Sequence, residues 1–134
     1  MESHIEIFTF DNLKETYNFL KEENVLDELL LFKNTKITKE NKKNTGYVIV
    51  DNDEVVGAAS IYDEEDGYIL NELFEIREKF RGKGYARILY EYIKEDSLCY
   101  GVHGFCTNDE NQSFWEHMGQ KCINKETREM IEKL

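Results

Sequence analysis

A cationic segment with two glycines stands between a predicted strand and a predicted helix. Residues 81–84 read Arg-Gly-Lys-Gly, after the apolar run Tyr68–Ile76 and before a helical pattern that begins at Tyr85. The first backbone N–H groups of a helix have no partner within it, and the helix dipole places partial positive charge there. Gly82 and Gly84 let an anion approach the backbone closely and tolerate positive φ. These residues predict a turn that binds phosphate.

The charge of this segment differs from that of the whole chain, which carries a formal net charge of −11. Around the turn, Glu78 alone opposes five cationic residues that fall within eleven positions: Arg77, Lys79, Arg81, Lys83 and Arg87. Clustered cations attract anionic ligands. The local excess of positive charge therefore favours the same phosphate site.

Two common phosphate motifs do not fit the segment. A P-loop needs Lys and then Ser or Thr after its last glycine, whereas Tyr85 follows Gly84. A dinucleotide-binding turn needs a third glycine, and Arg87 stands at that position. The pattern that remains is R-x-x-G-x-A, formed by Arg81, Gly84 and Ala86. It resembles the coenzyme A motif, Q/R-x-x-G-x-G/A, of the GNAT superfamily of N-acetyltransferases.

The composition is that of a globular chain, with 40% hydrophobic residues among 134. This length predicts a single domain, residues 1–134, and the absence of a membrane-length apolar run or a signal-like start predicts a cytoplasmic protein. Cys99, Cys106 and Cys122 are odd in number and lack C-x-x-C spacing, which is typical of reduced thiols. A metal site of Cys99, His103 and Cys106 is disfavoured, because on a strand Cys106 faces away from the other two. No metal is expected.

The negative charge is concentrated in one stretch. Nine acidic residues and no basic one fall between Asp51 and Glu75. A chain of this charge repels nucleic acid, so no nucleic-acid or membrane partner is expected. The stretch serves either solubility or the attraction of a cationic amine, and the sequence does not choose between them.

Hydrophobic periodicity predicts the order of elements. Strands are expected at residues 5–10, 47–50, 55–62, 68–76 and 100–107. Helices are expected after Asp11 or Asn12, from Asn24, from Tyr85 and after Asn108 or Asp109, with a polar loop over residues 33–44. The chain would end in a hairpin of residues 121–124 and 128–133, although residues 126–134 also fit a helix.

This order, β-α-α-β-β-β-α-β-α-β-β, resembles the GNAT fold over essentially the whole chain. A second landmark is similar to the family's N-x-x-A/S-x-x-F-Y/W-E-K-x-G-F segment, matching at Asn108, Phe114, Trp115, Glu116 and Gly119. The chain departs from the family pattern at Asn111, Gln120 and Glu78. The resemblance implies an α+β fold with α/β/α layers, in which a mixed, mostly antiparallel sheet is splayed after its fourth strand.

The resemblance also implies how acetyl-coenzyme A would be held. Backbone groups of the fourth strand would bind the pantetheine arm and polarise the thioester carbonyl, at Leu73, Phe74, Glu75 and Ile76. The pyrophosphate would lie on the backbone of Arg81, Gly82, Lys83, Gly84, Tyr85 and Ala86. Asn108, Asn111 and Trp115 would flank the pantetheine from the other side. Lys36, Lys39, Lys42 and Lys43 of the polar loop either touch the acceptor or, more in keeping with their composition, are simply solvated.

Acyl transfer to an amine needs a base, and Glu72 is the first candidate. It lies in an otherwise apolar strand, where burial would make a carboxylate more basic. Glu72, Phe74 and Ile76 would share one face of a regular strand, so Glu75 inherits the role if the other face lines the site. An edge carboxylate with no catalytic role is an equally good interpretation.

The acid that protonates the leaving thiolate is less clear. Many family members carry Tyr where this chain has Trp115, and an indole N–H is a poorer acid than a phenol. Either the thiolate leaves unaided, or another residue supplies the proton, for which Tyr100 and His117 are the candidates. A covalent acyl-enzyme on Cys106 is disfavoured, since no His and carboxylate accompany it.

Taken together, these residues predict an N-acetyltransferase. It would move an acetyl group from acetyl-coenzyme A to a primary amine of a small molecule or peptide, by direct attack. The alternatives are a non-catalytic acyl-coenzyme A-binding sensor and, more remotely, a generic nucleotide-phosphate binder. The acceptor and the oligomeric state, a homodimer included, stay open.

Overall fold

The computed structural model of the chain describes residues 4–37 and 44–134, so that Lys39, Lys42 and Lys43 lie outside the described residues. The strands are β1 (Ile5–Phe10), β2 (Asn44–Asp51), β3 (Glu54–Asp63), β4 (Tyr68–Ile76), β5 (Gly101–Phe105), β6 (Lys121–Asn124) and β7 (Glu129–Lys133). The helices are α1 (Leu13–Glu22), α2 (Leu30–Lys33), α3 (Tyr85–Ser97) and α4 (Asp109–His117). Short 3₁₀ turns occupy Leu26–Glu28 and Glu78–Phe80.

Within the described ranges the strands form one mixed sheet in the order β1-β2-β3-β4-β5-β7-β6. β4 and β5 run parallel, and the other neighbouring strands run antiparallel. The parallel ladder starts at the Tyr68–Gly101 pair and ends at the Leu70–His103 pair, although β4 continues to Ile76. The splay expected after the fourth strand is therefore present, and the predicted α+β fold class is confirmed.

Helices cover both faces of the sheet and give each its own core. On the α1 face, Leu13 and Leu20 of α1 and Phe32 of α2 pack with residues of β2 and β3. On the α3 face, Leu89 and Ile93 of α3 pack with Trp115 of α4 and with alternate residues of the sheet. This alternation follows from the period-2 pattern of strands and the 3.6-residue period of helices.

α1 begins where the sequence predicts and packs closely on the sheet. The Asn12 side chain caps it by accepting a hydrogen bond from the Glu15 N–H at 2.8 Å. Gly46 of β2 lies under this helix, and a Cβ atom there would fall 1.8 Å from the Thr16 hydroxyl oxygen. Only glycine lets the two elements approach so closely.

A β-bulge in β4 changes which residues share a face. Ser60 of β3 pairs with Leu73 and Ile61 pairs with Asn71, so Glu72 is an extra residue between them. Leu73 packs on the α1 face and Phe74 on the α3 face. The expectation that Glu72 shares a face with Phe74 and Ile76 is wrong, because the bulge interrupts the alternation on which it depended.

Other element boundaries also differ from the sequence expectations. β2 starts at Asn44 and β5 spans only Gly101–Phe105. Asn24 does not cap a helix but adopts a φ of 60°, and the chain forms a 3₁₀ turn before the four-residue α2. The C-terminal segment forms the hairpin of β6 and β7 rather than a helix. No helix within residues 4–37 and 44–134 is long and apolar enough to cross a membrane.

Candidate active site

The splay between β4 and β5 opens a cleft of about 690 Å³, within the usual range for small-molecule sites. One wall comes from the end of β4 and the residues after it, and the other from the β5–α4 connection and α4. The lining residues are Leu31, Phe74, Glu75, Ile76, Phe80, Arg81, Gly82, Gly84, Tyr85, Ala86, Arg87, Thr107, Asn108, Glu110, Asn111, Phe114, Trp115, His117 and Met118.

The phosphate turn (residues 81–84) leads into α3 at the mouth of this cleft. Gly82 and Gly84 have φ values of 75° and 90°, in the left-handed region that favours glycine. Gly84 is the residue that starts α3, and no side chain caps the helix there. A Cβ atom built on either glycine would meet nothing within 4 Å among the described residues. The helix start therefore faces open space, as an anion-binding turn requires.

The five cations expected around this turn do not act as one cluster. The side chain of Arg77 is only 7% exposed and forms an ion pair with Glu28, between Nη2 and Oε2 at 2.7 Å. Lys79 forms an ion pair with Glu54. The expectation that both belong to the phosphate site is wrong, because each points to carboxylates on neighbouring elements. The exposed cations Arg81, Lys83 and Arg87 flank the turn.

Arg81 is anchored as well as exposed. Its Nε atom donates a hydrogen bond to the Ile76 carbonyl oxygen at 2.8 Å, which ties the turn to the end of β4. Arg87 lines the cleft and donates to the His117 carbonyl oxygen at 3.2 Å, joining α3 to α4. Tyr85 packs against Phe80, with ring centroids 5.8 Å apart. These contacts fix the turn against the cleft, and the Arg81 guanidinium lies at its mouth.

The opposite wall begins at a reciprocal helix cap. Asn108 accepts a hydrogen bond from the Asn111 N–H at 2.8 Å, and the Asn111 side chain accepts one from the Thr107 N–H at 3.2 Å. Both asparagines line the cleft, as the sequence predicts. The cap fixes the entry of α4 and therefore the position of the residues that follow it.

Trp115 is buried in a cluster of aromatic rings on the α3 face. Its ring lies 5.0 Å from Phe74, 5.2 Å from Tyr90 and 5.0 Å from Phe114, in edge-to-face arrangements. Burial, and then the hydrogen bond to Glu132, raise the pKa of Tyr90, so this phenol stays protonated. Trp115 is thus a packed wall between the hydrophobic core and the cleft.

Glu72 and Glu75 lie on the same face of β4. Glu75 lines the cleft, and its carboxylate accepts hydrogen bonds from the N–H groups of Leu30 and Leu31, both at 2.9 Å. Burial raises the pKa of Glu75, against the opposing effect of these two bonds. Glu72 accepts a bond from Asn44 at 2.8 Å on the α1 face. The bulge removes the choice between two faces, because it brings both carboxylates to one.

Glu72 does not have the buried surroundings that its sequence neighbours suggest. Its side chain is exposed, and it is not among the residues that line the cleft. The burial expected to make it a stronger base is therefore absent. Leu73 and Lys83, also expected at the site, lie just outside the lining as well.

Three further candidates are separated by the structure. His117 is exposed and lines the cleft. Tyr100 precedes β5 beside Gly67, at the closed end of the splay. Cys106 is buried, and burial raises the pKa of its thiol, which disfavours the thiolate that a nucleophile needs. Lys36 is exposed and outside the lining.

Leu31 is the lining residue that sequence reasoning missed most completely. It comes from α2, more than forty residues before the rest of the site, and reaches the cleft because Glu75 holds the start of α2. Phe80, Thr107, Glu110 and Met118 were also missed. Within residues 4–37 and 44–134 no group of His, Cys, Asp or Glu is placed to hold a metal ion.

A splayed sheet with an uncapped helix start beside it is the arrangement that the resemblance to the GNAT family predicts. The model of the Acetyltransferase (GNAT) family matches residues 7–120 of the chain. The protein therefore belongs to the GNAT family of acetyltransferases. A search of curated proteins found no significant match.

Solved structures share the fold at low sequence identity. An acetyltransferase from Streptococcus agalactiae is 18% identical to this chain with a TM-score of 0.64. The match covers 97% of this chain and 98% of the S. agalactiae chain. A GNAT-family acetyltransferase from Staphylococcus aureus is 14% identical with a TM-score of 0.66, covering 98% and 99%. N-acetylglutamate synthase from Neisseria gonorrhoeae, solved with coenzyme A and N-acetyl-glutamate, is 11% identical with a TM-score of 0.63, and 36% of its chain is covered against 100% of this one.

Proposed function

We propose that this chain is a single-domain N-acetyltransferase that transfers an acetyl group from acetyl-coenzyme A to a primary amine of a small molecule or peptide. The observation that carries the proposal is the cleft. It lies between the uncapped start of α3 and the end of β4, where β4 is no longer paired with β5. The first feature suits a pyrophosphate and the second suits the amide-rich pantetheine arm. A cytoplasmic location remains our expectation.

The residues present fit coenzyme A. Gly82 and Gly84 leave open space before the helix start, and Arg81 stands exposed beside them. The backbone N–H groups of Phe74 and Ile76 lie past the last β4–β5 pair and are available to the pantetheine and the thioester carbonyl, whereas the Ile76 carbonyl already accepts the Arg81 bond. Asn108, Asn111 and Trp115 form the opposite wall, so the thioester would lie between two fixed surfaces.

We assign the general base to Glu72, acting through a water molecule. It is exposed on the α1 face, two residues before Phe74, and so it is open to an acceptor that arrives from the side away from α3. A water is needed because Glu72 does not line the cleft itself. Glu75 is the less suitable base, since both of its oxygens already accept backbone N–H bonds.

Proton return to the thiolate does not require Trp115. Its indole is a poor acid and is packed among three rings, so we assign it the role of holding the pantetheine end. His117 lines the cleft, and an imidazole ring can donate a proton through nitrogen. Among the acids considered, His117 is therefore our assignment.

The test is the release of free coenzyme A thiol from acetyl-coenzyme A across a panel of primary amines, with product mass measured in parallel. We expect amine-dependent release, and a fall of about 10²–10⁴-fold in kcat for Glu72→Gln at unchanged coenzyme A affinity. Glu65→Gln is the matched control, because Glu65 is exposed in the same acidic stretch. Tight binding with no amine-dependent release would favour a sensor, and wild-type turnover in Glu72→Gln would remove the base assignment.

A further inference from the structure

A buried amide reaches the proposed base from the neighbouring strands. Asn44, at the start of β2, is only 2% exposed. Its Nδ2 group donates to Glu72 Oε2 at 2.8 Å and to the Ser60 hydroxyl oxygen at 3.2 Å. Ser60 is fully buried, and both residues belong to paired strands of the central sheet. An exposed carboxylate is thus held by a group that is itself fixed in the interior.

The chemistry of this arrangement requires an amide at position 44. A carboxylate only accepts hydrogen bonds, so the donor must be the NH₂ group, whose two hydrogens serve Glu72 and Ser60 at once. Aspartate at this position would place a second carboxylate against the first, and an apolar residue would offer no donor. The burial of a polar side chain is costly unless its bonds are made, so the position is not simply one of packing.

The bulge explains why Glu72 needs such an anchor. As the extra residue of β4 it has no directly opposed partner on β3, and without the Asn44 bond its exposed side chain would sample several rotamers. A base acting through water must hold that water at a defined point, and small displacements of a catalytic group lower the rate steeply. One short bond from a rigid donor restricts the carboxylate to a single direction.

We propose that Asn44 is a positioning residue for catalysis, which orients the Glu72 carboxylate from within the sheet, with Ser60 holding the amide in turn. The inference rests on the proposed base role of Glu72. Asn44 touches neither substrate nor acetyl-coenzyme A in this proposal, and its whole effect on turnover passes through Glu72.

A double-mutant cycle tests this. Asn44→Ala should lower kcat by about 10–100-fold while the KM for acetyl-coenzyme A stays within about twofold. In the Glu72→Gln background the same substitution should lower kcat no further, because the group that it positions is already gone. Thr45→Ala, the next residue of β2, is the control and should leave kcat within about twofold of wild type.

The outcomes separate the two claims. The positioning role would be overturned if Asn44→Ala turned over at nearly the wild-type rate, or if the loss in kcat of the double variant equalled the product of the two single losses. A slow Glu72→Gln variant would leave the base assignment intact in either case. Wild-type turnover in Glu72→Gln would overturn both. If Asn44→Ala does not fold, Ser60→Ala carries the test. It should lower kcat several-fold in the wild-type background and not at all in the Glu72→Gln background, and independence from Glu72 would again refute the proposal.

Discussion

Replacing Arg77 with Met should unfold the protein more easily without weakening coenzyme A binding. The Arg77 side chain is only 7% exposed, and it links the end of β4 to the 3₁₀ turn between α1 and α2 through Glu28 at 2.7 Å. A second short bond runs from Nη1 to the Val55 carbonyl oxygen at 2.7 Å, and Glu54 lies at 3.4 Å. None of these three partners of Arg77 lines the cleft.

The size of the effect follows from what the substitution leaves behind. Breaking a buried ion pair by removing one partner costs about 3–5 kcal/mol, because a charge remains buried without compensation. Here Glu28 and Glu54 are 47% and 49% exposed and regain water, which places the cost near the lower limit. The Val55 carbonyl loses its donor as well, which adds about 1 kcal/mol. We expect a loss of about 4 kcal/mol in the free energy of unfolding, or about 14 °C in Tm for a chain of this size.

Denaturant unfolding and calorimetric titration with coenzyme A, both at a temperature where the variant is folded, measure the two quantities separately. Arg81→Ala is the matched control, because Arg81 is exposed and its bond to the Ile76 carbonyl should contribute only about 1 kcal/mol to stability, while its loss should weaken coenzyme A binding. A stable Arg77→Met variant that has lost coenzyme A affinity would refute the reasoning. It would return Arg77 to the phosphate site, where its sequence position suggests it belongs.

Three further predictions concern the cleft. Arg81→Ala should weaken coenzyme A binding by about 10–100-fold, the value of a charge-assisted hydrogen bond, and change the affinity for phosphate-free pantetheine little; equal losses for both ligands in calorimetry would make Arg81 purely structural. Gly84→Val should abolish coenzyme A binding, since the valine side chain fills the space before α3. It should also lower stability by about 1–3 kcal/mol, because φ at this position is 90°. Full affinity for coenzyme A in a thermal-shift titration would contradict the phosphate site. The pKa of Glu75 in the folded state lies above its ordinary value of 4.5, so the folded state binds the carboxyl proton more tightly than the unfolded state does. The contribution of Glu75 to stability should therefore decline as pH rises through 4.5 towards the raised pKa. The free energy of unfolding of wild type relative to Glu75→Gln, measured between about pH 4 and about pH 7, should therefore fall, and a rise would mean that the Leu30 and Leu31 bonds outweigh burial.

Much of the fold could be predicted because its signals are local. Alternating apolar residues in Tyr68–Ile76 and helical spacing from Tyr85 require no knowledge of neighbouring strands. The turn between them was predictable for the same reason, since Gly82 and Gly84 supply backbone angles that other residues resist. Many of the residues that line this part of the cleft were therefore anticipated.

The arrangement around Glu72, Arg77 and Leu31 was not anticipated, because it depends on pairing between distant segments. The bulge at Glu72 arises from the register between β3 and β4, and the residue pattern of a single strand does not determine that register. Arg77 looked like part of a cationic cluster, because its spacing in the sequence does not reveal the ion pair that it forms with Glu28. Leu31 enters the cleft only through the hold of Glu75 on α2, a contact across more than forty residues.

The anchor of Glu72 shows the same limit. Asn44 looked like the end of a polar loop, and Ser60 like an ordinary residue of a strand. Their relation to Glu72 exists only after three strands have paired, which places the three polar groups together on the α1 face. The candidate base Glu72 is thus easier to find from sequence than the residues that hold it.

The binding of acetyl-coenzyme A at the start of α3 is the central claim, and amide chemical-shift mapping of the ¹⁵N-labelled protein tests it most directly. On titration with acetyl-coenzyme A, the largest shifts should fall on Gly82, Gly84 and Ala86, with smaller ones along Phe74 and Ile76. Shifts confined to the α1 face, or a titration that leaves the amides of the phosphate turn unmoved, would contradict it.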